Sequence, residues 1–265
     1  MPIMIEGKEV NVYDCIPFLN ETELLLMRME ILNDFVDYWV VSEGDVTFQG
    51  TPKPFNFEAN KFLFKKWEHK IIYNKFHDKM GTQWNNWDRD KNHKNAIAKA
   101  LEHCNDNDII LTSDCDEIPN FEKNNLLEIY NPNGLVHMMQ NFYYYYLNYQ
   151  KVEDWYGTKI CSYKFFKERS FDIIRNMKSE GTKISNGGWH FSFLTDIEGI
   201  KTKVKSWGHS EYNIPFFLDH IEENVKAGRD IFYRGDSRFV KVPIDESYPE
   251  YIRNNLDKYS QFILK

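Results

Sequence analysis

Three acids within four residues, Asp114, Asp116 and Glu117, follow directly on the apolar burst Ile109-Ile110-Leu111. In extended backbone, residues i and i+2 point to the same side. Two carboxylates leaving a strand end together can therefore share one hard divalent cation, which prefers oxygen ligands. Acids this close repel one another unless a cation sits among them. An ion so placed can neutralise a diphosphate, either holding it for binding or stabilising it as a leaving group. The chain has three Asp-x-Asp pairs, and their contexts differ. Asp88 and Asp90 fall at a helix start, where carboxylates favour the dipole, and Asp106 and Asp108 in a polar turn. Only Asp114 and Asp116 follow an apolar strand; the plain alternative is a solvated acidic turn. A phosphatase of the haloacid-dehalogenase type also places Asp-x-Asp after a strand, with the first Asp as nucleophile. That pattern wants Thr or Val two places after the second Asp, where this chain has Ile118 and then Pro119.

The elements that must position these acids read as an α/β fold. Val10 to Cys15 alternates like a short strand. Asn20, with Glu23 three residues on, has the form of a capping box, and Leu24, Met27, Ile31 and Leu32 follow at helical spacing. Tyr38 to Val41 reads as a buried strand ending at Ser42-Glu43-Gly44, residues 50–57 as a loop around Pro52 and Pro54, and Ile71 to Tyr73 as a strand. A helix over 88–103, with Ala96, Ile97, Ala100 and Leu101 inward, leads to the strand Asp108–Thr112. Beyond it lie an aromatic stretch from Leu135 to Leu147, an alternating segment Trp189–Leu194, and helices over 196–205, 215–227 and 249–263. The first half thus reads β-α-β-β-α-β, a mostly parallel central sheet flanked by helices. In such sheets ligands bind beyond the carboxyl ends of the strands, where Glu43 and the acidic cluster both fall.

Composition narrows the function. With 33 Lys and Arg against 40 Asp and Glu the net charge is −7, which argues against nucleic-acid binding through a cationic face. Four cysteines with no C-x-x-C pair form neither a disulfide framework nor a zinc finger. Leu24–Met27 is far short of a membrane span or a secretory core. A single domain over 1–265 in a reducing, cytoplasmic setting is the expectation, unless a targeting segment is missing. Aromatics make up 16% of the chain; most must be core, but so many Tyr and Trp also suit a site that stacks on sugars or bases. A non-catalytic carbohydrate-binding protein is the alternative from another class.

Six ordered stretches resemble glycosyltransferase family 17, the β-1,4-mannosyl-glycoprotein 4-β-N-acetylglucosaminyltransferase family that adds the bisecting GlcNAc to N-glycans. They are V-Y-D-C-I-P-F-L-N-E-T-E-L-L-L-M-R from Val12 to Arg28, and V-D-Y-W-V-V-S-E with T-F-Q-G-T-P-K-P between Val36 and Pro54. Then come N-H-K-N-A-I-A from Asn92, D-I-I-L-T-S-D-C-D-E-I-P from Asp108, G-G-W-H-F-S-F from Gly187 and A-G-R-D-I-F from Ala227. The resemblance implies an inverting, metal-dependent transferase of the GT-A type, with Mn2+ or Mg2+, a UDP-sugar donor (UDP-GlcNAc before others) and a glycan or glycoprotein acceptor. Animal members carry an N-terminal anchor and stem that this sequence lacks, so a Golgi-type location is not implied.

Carried over position by position, Asp114 and Asp116 match the family's D-x-D. Asp116 is then the direct metal contact, and Asp114 a contact to metal or donor ribose. Glu43 is a candidate for the nucleoside, or equally a turn cap. Arg89 and Asn95, on the helix before the cluster, are candidates for phosphates or the donor sugar. In Asn186-Gly187-Gly188-Trp189-His190, Gly188 permits close backbone approach, Trp189 can stack on a sugar, and His190 can donate to phosphate or ligate the ion. Trp207-Gly208-His209-Ser210-Glu211 supplies His209 as a metal candidate by analogy with other GT-A enzymes. Inversion needs a carboxylate to take the acceptor's proton; Glu211 is the first candidate and Asp196 the second, although Asp196 sits where a helix cap belongs. Trp84, Trp87 and Tyr143–Tyr146 form either an acceptor platform or core. Asn20-Glu21-Thr22 matches a glycosylation sequon that capping alone would explain.

Overall fold

Strand Val12–Pro17 is buried along almost its whole length, and its alternate residues feed two different cores. Val12 and Ile16 face one side, with Trp39, Val41, Ile109 and Leu111 of neighbouring strands. Tyr13 and Cys15 face the other, with Val40, Ile110 and Cys161. This is the near-continuous apolar run of a sheet covered on both faces. The structure, a computed structural model, describes residues 3–5, 7–78, 84–235 and 239–265. In chain order the strands are β1 Ile3–Ile5, β2 Lys8–Val10, β3 Val12–Pro17, β4 Tyr38–Gly44, β5 Ile71–Phe76, β6 Ile109–Thr112 and β7 Glu117–Pro119. They continue with β8 Val136–Tyr144, β9 Tyr149–Ser162, β10 Thr182–Ser192 and β11 Phe239–Lys241. The helices are α1 Thr22–Leu32, α2 Asn56–Asn60, α3 Asn86–Asn95, α4 Leu126–Ile129 and α5 Tyr163–Lys167. After them come α6 Phe171–Asn176, α7 Ile197–Ser206, α8 Pro215–Leu218, α9 Ile221–Lys226 and α10 Glu250–Arg253.

The main sheet runs β5-β4-β3-β6-β9-β8-β10-β7, with β11 on β9. The half built from β3 to β6 is parallel, as the sequence implies, with Val12 beside Ile109 and Tyr13 beside Tyr38. The other half is mixed: β9 runs antiparallel to β6 and β8, β10 parallel to β8, and β7 antiparallel to β10. Pro119 is the last residue of β7 and pairs with Gly188, on an edge strand where a missing N–H is tolerated.

Helix α1 buries Leu24, Leu25, Met27, Met29, Ile31 and Leu32. It is apolar nearly all round because Tyr248, Ile252 and Tyr259, from the C-terminal segment, join the same core. Burying each such large side chain contributes roughly 1.5–3 kcal/mol. On the opposite face lie Ile97, Leu101, Phe166, Phe171 and Ile174, so the inward stripe predicted for 88–103 is correct. That segment is α3 followed by a 3₁₀ turn, Ala96–Leu101.

Several boundaries differ from the sequence reading. Helix α1 begins at Thr22, and the Asn20 capping box does not form; instead the Glu21 carboxylate accepts from the N–H of Leu19 and of Asn20, each at 3.0 Å. The segment 215–227 splits into α8 and α9, and 249–263 into α10 and a 3₁₀ turn. Strand β9 and helices α5 and α6 were not foreseen. No helix among the described residues is long and apolar enough to cross a membrane.

Candidate active site

The acidic turn owes its shape to Arg28, whose guanidinium is fully buried. Arg28 donates to both oxygens of Asp14, at 2.6 and 2.7 Å, a bidentate pair between α1 and β3. Its remaining donors reach the Ser113 hydroxyl at 2.7 Å and the Glu117 carbonyl at 2.5 Å. Thr158 on β9 donates to that same carbonyl at 3.0 Å. Between these anchors the chain reverses, with Glu117 N–H donating to the Asp114 carbonyl at 3.0 Å. Glu117 is wholly buried and accepts from Trp155 Nε1 at 2.7 Å, from the Asp114 N–H at 3.1 Å and from Arg175.

Because residues 114–117 turn, Asp114 and Asp116 do not project together as an extended strand end would require. Asp114 meets Arg175 of α6 at 3.0 Å and lies 3.8 Å from Lys94 of α3. Asp116 meets Lys203 of α7 at 2.8 Å and His190 of β10 at 3.5 Å. The cations that relieve the repulsion are thus the protein's own. Burial would raise both carboxyl pKa values, but the opposite charges win. Lys94 and Arg175 hold Asp114 at about 2, and Lys203 and His190 hold Asp116 well below the usual carboxylate range. Asp90, 2.9 Å from Lys94, is displaced upward by burial against that lysine's pull.

Asp114 and Asp116 both open into a cavity of about 500 Å³ at the carboxyl ends of β3 and β6. Its aromatic wall includes Phe142, Tyr144, Trp155, Phe193, Trp207 and Tyr212. His190 stacks on Phe142 and is tilted against Trp155, 4.4 Å from each ring centre, and the three rings form one cluster. His209 also borders the cavity, edge-on to Trp87. These two histidines, the two aspartates and Trp87 are the sequence-predicted residues that the fold brings together, with Tyr144 of the tyrosine run.

The other candidates lie outside the cavity lining. Glu43 is fully buried, accepting from Lys53 at 2.5 Å, from the N–H groups of Asn56 and Phe57 at 2.6 and 3.0 Å, and from the Tyr73 hydroxyl at 3.0 Å. It is the cap of α2, which leaves no oxygen for a nucleoside. Trp189 is core, with Nε1 donating to the Ser247 carbonyl at 3.1 Å, so it presents no face to a sugar. Gly188 has φ +145°, and a Cβ there would stand 2.1 Å from the Ile118 carbonyl; its close approach is to β7, not to a ligand. Asn95 accepts from the Asp172 N–H at 3.0 Å and so tethers the helix that carries Arg175. Arg89 is buried against Gly50 and donates to the Trp84 carbonyl. Asp196 caps α7 through the Gly199 N–H at 2.7 Å. Glu211 is exposed and pairs with His209 at 2.7 Å. Trp84 is exposed, while Tyr143 and Tyr145 are core.

Sequence reasoning missed Lys94, Arg175, Lys203, Phe142, Trp155 and Glu153. Lys94 stands four residues after Asp90, a helical pairing that was legible. Arg175 and Trp155 lie on elements that were not foreseen.

Among the described residues no three His, Cys, Asp or Glu side chains form a metal-binding group. Two carboxylates on one cavity still suit a hard ion that takes its other ligands from water and phosphate oxygens, the usual habit of Mg2+. The residues therefore fit an ion that arrives with a diphosphate better than a resident one.

An α/β sheet with an acid turn at a parallel strand end and an aromatic-walled cleft is a frame suited to a sugar nucleotide. Comparison with known proteins assigns the chain to the glycosyltransferases. Within them, the model of glycosyltransferase family 17 matches residues 4–256, and the chain belongs to that family. It is similar to the β-1,4-mannosyl-glycoprotein 4-β-N-acetylglucosaminyltransferases of rat, human and mouse, each 23% identical over 292 aligned positions that cover 94% of this chain. The chain spans 54% of the length of those relatives.

Proposed function

We propose that the chain is an inverting N-acetylglucosaminyltransferase with one GT-A-type catalytic domain, using UDP-GlcNAc as donor and a glycan or glycoprotein as acceptor. The observation that carries this reading is Asp114 and Asp116, opening from the family's D-x-D turn into the aromatic-walled cavity. The donor's diphosphate lies at that turn. A divalent ion held there by Asp114 and Asp116 would neutralise the departing UDP. The aromatic wall takes the apolar faces of the sugars, and Trp87, half exposed at the rim, is placed to meet an acceptor.

In the transfer an acceptor oxygen bonds to the anomeric carbon as the bond from that carbon to the phosphate oxygen breaks. UDP leaves with the electron pair, and the acceptor's proton must go to a base on the face opposite UDP. Besides the turn, the carboxylates that border the cavity among the described residues are Glu21, Asp90 and Glu153. Glu21 is committed to two backbone N–H groups. Asp90 is tied through Lys94 to the Asp114 side, where the leaving group lies. Glu153 lies in the irregular stretch of β9 between Lys151 and Trp155, borders the cavity with both, and among the described residues pairs with Lys151 at 2.8 Å. We assign it the proton.

The test incubates the protein with Mn2+, a panel of UDP- and GDP-sugars and a mannose-core glycan, and reads products by mass spectrometry. The reading expects addition of one N-acetylhexosamine from UDP-GlcNAc with a β linkage. No transfer and no donor hydrolysis from any UDP-sugar would overturn it.

A further inference from the structure

Among the described residues, five Lys and Arg side chains border the cavity: Lys94, Lys151, Arg175, Lys203 and Arg234. Two of them are fixed on the acid turn or beside it. Arg175 is shared between Asp114 and Glu117 and lies over the Trp155 ring. Lys94 sits between Asp90 and Asp114. Lys203 is different. Among the described residues its ammonium forms one ion pair, with Asp116 at 2.8 Å, and both side chains are mostly buried, 19% and 8% exposed, at the cavity wall. Its backbone cannot wander, because Asp196 caps α7 and Ile200 and Val204 are buried on either side in the aromatic core. The four-carbon arm, which carries its Nζ 5.1 Å from the centre of the Phe193 ring, has the rotatable bonds to redirect the ammonium.

We propose that Lys203 is a place-holding cation: it neutralises Asp116 while the cavity lacks donor, and moves to the diphosphate when a nucleoside diphosphate and its divalent ion enter. This rests on the proposed function. A divalent ion and an ammonium cannot share one carboxylate oxygen without repelling each other. An entering diphosphate brings several anionic oxygens, which accept the ammonium that the ion displaces.

Two consequences have opposite signs. Without nucleotide, Lys203 competes with the ion, so Mn2+ alone binds weakly. With nucleotide, Lys203 holds the diphosphate, so Mn2+ and UDP strengthen each other's binding by a reciprocal factor. Removing the ammonium should tighten the first and weaken the second.

The experiment measures free Mn2+ by electron paramagnetic resonance in titrations without nucleotide, and UDP affinity by calorimetry at saturating Mn2+, for wild type, Lys203→Met and Lys203→Arg. For Lys203→Met, Mn2+ alone should bind about tenfold or more tighter and UDP about tenfold or more weaker, the scale of one charge-assisted hydrogen bond. Lys203→Arg, which keeps the charge, should stay near wild type in both. Unchanged or weaker Mn2+ binding in Lys203→Met, or unchanged UDP binding, overturns the exchange. Failure of wild type to bind UDP overturns the functional reading instead. Should Lys203→Met not fold, Lys203→Gln is judged by the same two affinities.

Discussion

Replacing Arg28 by Met tests how the acid turn is held. The change leaves Asp14, which is wholly buried, without a counter-charge, and strips donors from the Ser113 hydroxyl and the Glu117 carbonyl. Breaking a buried ion pair by removing one partner costs about 3–5 kcal/mol. At about 2–4 °C per kcal/mol for a chain of this size, the melting temperature should fall by about 6–20 °C. Urea unfolding and thermal melts measure both quantities. A second variant separates stability from positioning. Arg28→Met with Asp14→Leu removes both charges and should recover most of the stability, since apolar replacement of a buried pair is often neutral. It should not recover UDP affinity, because the turn still lacks its anchor; a loss of about tenfold is expected, the scale of one hydrogen bond to a charged group. Arg28→Met within about 1 kcal/mol of wild type, a spread typical of exposed pairs, would refute the argument. So would a double variant with wild-type UDP affinity.

Three further outcomes follow from the same geometry. Glu153→Gln should lower kcat by about 10²–10⁴ with little change in donor KM, the range for loss of a general base; steady-state kinetics with varied UDP-GlcNAc checks it. His93 is buried between Phe48 and Phe76, and burial, the leading cause, depresses its pKa from 6.5 to about 4. The unfolded chain therefore takes up that proton first as pH falls. His93 should contribute its full stability above pH 6.5 and lose up to about 3 kcal/mol between 6.5 and 4, a slope that His93→Phe should flatten in urea melts at several pH values. Gly188→Ala should destabilise the fold by more than about 1 kcal/mol, from its positive φ and the clash with the Ile118 carbonyl. A selective loss of donor affinity at unchanged stability would instead restore Gly188 to the donor site.

The parallel half of the sheet was legible because its strands are short apolar runs and a patterned helix separates β3 from β4 and β5 from β6; the short α2 and the 3₁₀ helix Lys61–Lys70 between β4 and β5 gave no such signal. The mixed half was not. Strand β9 carries Lys151, Glu153, Asp154 and Lys159 within its length, so its pattern breaks at the residues that border the cavity. Helix α6 is six residues long and gives almost no periodic signal, yet it delivers Arg175. Asp114 and Asp116 were found from their place after β6, but their divergence onto separate cations depends on Arg28, 86 positions before Asp114, and no local pattern records that. Glu43, Trp189 and Gly188 were drawn toward the site by residue type, whereas burial and backbone approach assign them to caps, core and strand pairing.

The central claim is that the Asp114–Glu117 turn marks the diphosphate end of a sugar-nucleotide site. A crystal soaked with UDP and Mn2+ tests it most directly. The account predicts density for the diphosphate beside Asp116, with the ion on the Asp114 and Asp116 carboxylates and the Lys203 ammonium turned from Asp116 to a phosphate oxygen. UDP bound elsewhere on the molecule, with the Asp116–Lys203 pair intact and the aromatic-walled cavity empty, would contradict it.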